Sequence, residues 1–172
     1  DGYKRPTNFI KEKYSNPVIN KKDNGVGTNE NASSELRDLM GNDVFSYPKP
    51  VTLMKYLTNF VVQENDIVLD FFSGSCSTAE GVLKLSSDEN KKLKYIMVQL
   101  PENLDENLKT ADLNTKKIIQ NGINFLDSLE KPHYITELAK ERIRRAANKI
   151  KEETKADIDY GFRVYRLDSS NM

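Results

Sequence analysis

Residues Ile67-Val68-Leu69-Asp70-Phe71-Phe72-Ser73-Gly74-Ser75-Cys76-Ser77-Thr78-Ala79-Glu80 set chemistry-bearing side chains in a telling order. An apolar run of strand type ends in an acidic residue. A tight turn of small residues follows, and then a helix-compatible segment. A strand, a Gly/Ser turn and a helix in that order build a ligand site. The turn lets backbone N–H groups approach a ligand closely, and the helix N-terminus favours negative charge there.

Three ligand classes compete for such a turn. A P-loop needs a longer glycine loop closed by Lys-Ser/Thr, which is missing here. A dinucleotide site wants three glycines, the last for close helix–strand packing, whereas this turn has only Gly74. An S-adenosylmethionine site has no pyrophosphate to cradle and needs a shorter small-residue turn after an acidic strand end. Asp70 to Ser75 suits that class best. In each class a polar side chain at the end of the next strand should meet the ribose hydroxyls, and Gln99 holds that place.

The elements that must position these residues can be read from period and punctuation. Ser33 to Met40 is expected as a short helix, N-capped by Ser33 and stopped by Gly41. Pro48-Lys49-Pro50 fixes an extended approach to a helix over Val51 to Val62, striped by Leu53, Leu57 and Val61. Ile67 to Phe72 and Tyr95 to Leu100 are expected as fully buried strands, joined by a helix over Ser77 to Leu85. Such a βαβ unit implies a parallel sheet and an α/β fold. Asn103 to Glu130 reads as one or two helical pieces, broken near Asn121-Gly122. Ile135, Ala139, Ile143, Ala146 and Ile150 mark a long helix. Its other side, with Lys140, Arg142, Arg145, Lys149 and Lys151, reads as a solvated basic face. Phe162 to Leu167 alternates apolar and basic residues and is expected as a third strand.

Composition removes several classes of function. Lys plus Arg and Asp plus Glu both number 26, so bulk charge does not point to nucleic acid or a membrane surface. No apolar run reaches membrane-spanning length, and a soluble, cytoplasmic protein is the expectation. Cys76 is the sole cysteine and His133 the sole histidine. Neither has a partner at metal-ligand spacing, and packing is the expected role of Cys76. The start at Asp1, and the stop just after a strand-like run, suggest a piece of a longer protein.

Phe45-Ser46-Tyr47-Pro48-Lys49-Pro50, then Leu69-Asp70-Phe71-Phe72-Ser73-Gly74-Ser75, then Tyr95-Ile96-Met97-Val98-Gln99-Leu100-Pro101-Glu102 follow one another at compatible distances. Together these runs resemble the modification subunit of type III restriction–modification systems, DNA adenine-N6 methyltransferases of the β class. Ala139 to Ala146 and Gly161 to Asn171 extend the likeness, and Gly27 to Glu30 fits the family's lead-in. The resemblance implies a partial Rossmann-like S-adenosylmethionine-dependent methyltransferase fold, a parallel β-sheet flanked by helices. Residues 1–43 would be a loop-rich lead-in from an absent recognition region, and residues 44–172 the donor-binding part.

Carried over residue by residue, the resemblance puts Asp70, Phe71, Phe72, Ser73, Gly74 and Ser75 under the donor. Ser77 and Thr78 would hold its carboxylate at the helix start, with Lys49 beside Pro50 reaching the same group, and Gln99 would face the ribose. Glu102 is left to cap the next helix. The family's catalytic motif, Asp/Asn-Pro-Pro-aromatic, is absent, since none of the six prolines adjoins another. The chain is therefore expected to carry no catalytic residue and no metal. Implied partners are double-stranded DNA, a second modification subunit in a homodimer and a helicase/nuclease restriction subunit, with no membrane. A non-catalytic remnant serving assembly is the alternative, ahead of a nucleotide-binding oxidoreductase.

Overall fold

The computed structural model describes residues 25–168. Of the lead-in, residues 1–24 lie outside the described residues, as do residues 169–172. Helix α1 spans Asn29–Met40, four residues earlier than its apolar pattern suggested. The reason is a capping box: Asn31 N–H donates to Thr28 Oγ1 at 3.3 Å, and Thr28 N–H donates to Asn31 Oδ1 at 2.9 Å. Two orphan donors are met at Thr28, so Ser33 lies inside the helix. Helix α2 covers Val51–Asn59 and starts directly after Pro50. Its buried residues are Val51 and Thr58; the expected stripe fails because Leu57 and Val61 are exposed.

Strand β1 (Ile67–Asp70), helix α3 (Ser77–Glu89) and strand β2 (Lys94–Met97) form the expected βαβ unit. The two strands pair in parallel, from Ile67 opposite Lys94 to Asp70 opposite Met97. Burial is where the strands depart from expectation. One face packs towards α3, with Tyr95 and Met97 against its core. The other presents Ile67, Leu69, Ile96 and Val98, all exposed. A pleated strand sends alternate side chains to opposite faces, and no described element covers the second one.

Helices α4 (Leu104–Thr110), α5 (Leu113–Asp127) and α6 (Ile135–Thr154) complete the chain. The break between α4 and α5 falls at Ala111-Asp112, where Asp112 caps α5 by accepting from Asn114 and Thr115 N–H. The helix then runs unbroken through Asn121-Gly122. Gly122 is there for packing: an added Cβ would lie 3.2 Å from Leu138 Cδ1 and 3.3 Å from the Val44 carbonyl oxygen. Phe162 to Leu167 is not a strand. Phe162 packs on the core beneath Arg144, 5.5 Å from its ring centroid, while Val164, Tyr165 and Leu167 stand exposed. Alternation supplies two faces, but a strand also needs a neighbour to take its backbone hydrogen bonds, and no described strand lies alongside.

Helix α6 ties two cores together. Its Leu138 joins Leu36, Met40, Val44, Leu104, Ile123 and Leu126. Its Ala139, Ile143, Ala147 and Ile150 join Cys76, Ala79 and Leu83. Just before α6, His133 bridges two helices. Nδ1 meets Asp105 of α4 at 3.0 Å and Nε2 meets Asp127 of α5 at 2.9 Å. Hydrogen bonds to Asp127 and then Asp105 raise its pKa above the ordinary value of 6.5. A raised folded-state pKa contributes stability that is complete below the unfolded value and lost as pH rises through the folded one. The chain should therefore lose its stability advantage over His133→Gln over the range in which pH rises from the ordinary histidine value of about 6.5 upward. Urea midpoints of both proteins across that range check this; a gap independent of pH would count against the bridge.

Candidate functional site

The turn between β1 and α3 is built by hydrogen bonds from three directions. Asp70, at the C-terminal end of β1, holds both of its sides: Oδ1 accepts from Phe72 N–H at 3.1 Å, and Oδ2 from Thr78 Oγ1 at 2.6 Å. Ser73 is buried and donates from N and Oγ to the Val98 carbonyl oxygen, at 3.1 and 3.2 Å. Gly74 N–H donates to Gln99 Oε1 at 2.8 Å. Gln99 follows β2 and thus meets the turn at the C-terminal ends of two parallel strands, where open α/β sheets place their ligands. The other end of the Gln99 amide donates to Glu102 Oε1 at 3.3 Å. Glu102 also accepts from Asn107 Nδ2 at 3.2 Å. The cap of α4 is Asn103, which accepts from the N–H groups of Asp105 and Glu106.

Two residues of the turn sit in the left-handed region. Gly74 has φ +50°, and an added Cβ there would come no closer to another atom than 3.5 Å, to Phe45 Cζ, an ordinary contact. The glycine is required by its backbone conformation rather than by lack of space. Cys76 has φ +60°, an uncommon conformation for a residue bearing a Cβ. Its buried side chain packs with Ala79 and Leu83. Burial raises its thiol pKa above the ordinary 9.0, which suits a packing role and not a nucleophile.

The side chains sort into an exposed rim and an inward set. Phe71 and Phe72 stand out from the turn, Phe72 at 91% exposure. Ser75 and Ser77 point inward and are buried. Thr78 is bound to Asp70, so neither hydroxyl at the start of α3 faces outward unpaired. What the first turn of α3 leaves for a ligand is its N–H groups. Lys49 is exposed on the approach to α2, between buried Pro48 and Pro50. The ring of Phe45, four residues earlier, lies 3.5 Å from where a Cβ on Gly74 would stand.

Arg142 departs from the reading of this side of α6 as a solvated basic face, which holds for the exposed Lys149 and Lys151. It is 2% exposed. Its Nη1 donates to Ser75 Oγ at 2.7 Å, Ser77 Oγ at 3.0 Å and the Ser75 carbonyl oxygen at 3.2 Å. Its Nε and Nη2 donate to Glu80 Oε2 at 3.1 and 3.0 Å. The apolar stripe hid this signal: Arg142 precedes Ile143 and follows Ala139 by three, so it lies at the stripe's edge. Arg145 is partly withdrawn as well, donating to the Leu39 and Met40 carbonyl oxygens and lying 4.9 Å from the Phe125 ring centroid.

A family described as DNA methylase matches residues 4–147 of the chain. The chain is 33% identical to the type III restriction-modification enzyme StyLTI Mod subunit of Salmonella typhimurium over 154 residues, which is 88% of this chain and 21% of that protein. It is 32% identical to the EcoP15I Mod subunit of Escherichia coli over 138 residues, 79% of this chain and 18% of that protein. With the EcoPI Mod subunit of Escherichia phage P1 it shares 33% identity over 89 residues, 52% and 14% of the two chains. The chain therefore spans about a fifth or less of the length of these relatives.

Proposed function

The chain belongs to the DNA methylase family and resembles type III modification subunits, and from that premise we propose that it is the methyl-donor-binding part of a DNA adenine-N6 methyltransferase. The observation that carries this reading is the contact between Gln99 and the Gly74 N–H at the strand ends. It joins the small-residue turn to the strand-end amide that is proposed to face the ribose. The bare sheet face, with no described strand beyond either edge of the β1–β2 pair, fits a unit of a larger Rossmann-like sheet.

The residues present fit S-adenosylmethionine. Gly74 and Ser75 supply close backbone, Gln99 the second lone pair of an amide oxygen that already accepts from Gly74, and the exposed rings of Phe71 and Phe72 flat apolar surface. Lys49 and the first N–H groups of α3 would take the donor carboxylate, since the hydroxyls of Ser77 and Thr78 are engaged by Arg142 and Asp70. When bound, the donor supplies a methyl group on a positively charged sulfur, already activated for transfer. The protein's part is then to orient it and keep it still. Asp70 serves this by clamping both ends of the turn.

With no adjacent prolines, the chain lacks the Asp/Asn-Pro-Pro-aromatic motif that would seat a flipped adenine. It is proposed to supply the donor half only and to methylate no DNA by itself. Double-stranded DNA, a second modification subunit and a restriction subunit are proposed partners of the longer protein. Isothermal calorimetry with S-adenosylmethionine, S-adenosylhomocysteine and NAD tests the reading. Binding of the adenosyl compounds in preference to NAD is expected, and failure of both adenosyl compounds to bind would overturn it. Gly74→Val should weaken donor binding by about tenfold or more, because a β-branched residue is strained in the left-handed region. Unchanged affinity would remove the turn from the site.

A further inference from the structure

Resting on the donor-site reading, we infer that Arg142 is a positioning residue for the donor turn, which it reaches by direct hydrogen bonds from 67 positions further along the chain. It belongs to the distant helix α6 and touches no surface a ligand could reach. Yet it is the hub beneath the turn. One end of its guanidinium gathers both serine hydroxyls that flank Cys76, and also the Ser75 carbonyl oxygen. The other end grips Glu80, one turn into α3.

Pinning the Ser75 carbonyl fixes the peptide plane between Ser75 and Cys76. The Cys76 N–H is thereby aimed at the Ser73 carbonyl oxygen, 2.6 Å away. Two consequences follow for the opposite side of the turn. Gly74 is held with its N–H towards Gln99. Ser75 and Ser77 are drawn inward, so the start of α3 offers backbone N–H groups and no competing hydroxyl. Cys76 has no side-chain hydrogen bond capping α3, so this terminus is organised by Arg142 from within and by the bond of Asp70 to Thr78. The planar fork matters, because an ammonium on a flexible stem cannot span a serine pair and a carboxylate together.

The test is a double-mutant cycle on donor affinity, measured by calorimetry with S-adenosylmethionine and S-adenosylhomocysteine on the whole chain. Arg142→Lys, which keeps the charge, should still unfold cooperatively and should bind the donor about tenfold more weakly. The pair Ser75→Ala, Ser77→Ala should weaken binding similarly. All three substitutions together should bind no worse than the weaker parent, because they cut one and the same connection. Unchanged affinity in Arg142→Lys, or losses that multiply, overturns the positioning role and leaves the donor site standing. If the unmodified chain binds neither adenosyl compound, the donor-site reading falls and the inference falls with it. Should Arg142→Lys fail to fold, the serine pair decides, since it leaves the bond from Arg142 to Glu80 intact: undiminished donor affinity would then refute the inference.

Discussion

Arg142→Met should lower the free energy of unfolding by about 3–5 kcal/mol, the cost of removing one partner from a buried ion pair. The substitution is close in volume, so a cavity contributes little. The loss comes from what the guanidinium leaves behind. Glu80 is nine-tenths buried, and its remaining cation is Lys84, 3.2 Å away and one third exposed. The hydroxyls of Ser75 and Ser77 lose their donor at the same time, keeping only a 3.3 Å contact with each other. For a domain of ordinary stability this is a large part of the total. Urea denaturation followed by circular dichroism measures it. A companion variant separates charge from packing: Glu80→Met combined with Arg142→Met should recover much of the loss, since an apolar pair of similar volume often replaces a buried ion pair at little cost. If Arg142→Met costs under about 1 kcal/mol, the pair is not the anchor between α3 and α6 described above.

Gly81→Val should destabilise by about 3 kcal/mol through overpacking between α2 and α3. Two effects oppose each other at this position. Glycine inside a helix costs about 1 kcal/mol relative to alanine, so a side chain here would gain stability on an exposed surface. In the fold, an added Cβ would lie 2.9 Å from the Lys55 backbone nitrogen and 3.0 Å from Met54 Cβ. Neither atom is the far end of a flexible chain, so α2 as a whole must move. The steric cost therefore exceeds the propensity gain, and even Gly81→Ala should fail to stabilise. Displacing α2 also moves Pro50 and Lys49, which lead directly into it, so donor affinity should fall along with the urea midpoint. A Gly81→Val protein as stable as the original would show that the two helices are not held in this close contact.

Local chemistry was legible where it is set by near neighbours in the chain. The apolar runs ending in Asp70 and Gln99, the Gly/Ser turn between β1 and α3, the start of α2 after Pro50 and the stop at Gly41 depend on short-range sterics and hydrogen bonding. They were found close to where the pattern put them. The parallel pairing followed too, because two such strands joined by a helix have few other arrangements. Boundaries failed where a specific side-chain bond competed with the apolar period. The Thr28–Asn31 box began α1 early, and Asp112 moved the helix break away from Gly122.

What only the tertiary structure decided is which of two faces is inside, and why. A period identifies a face but not its neighbour. β1 and β2 looked buried on both sides, yet Ile67 and Ile96 are exposed because described chain covers one side only. Phe162 to Leu167 alternates like a strand but has no described partner for its backbone. The largest revision concerns the turn from Asp70 to Thr78. Its residue types led to the expectation of a ligand site, but its shape depends on Gln99 from across the sheet and on Arg142 from α6. A charged residue at the edge of an apolar stripe reads as solvent-facing, because burying a charge is costly. Here that cost is met by Glu80 and two serines, 62 to 67 positions away in the chain. Such a match exists only once folding has brought α3 and α6 together.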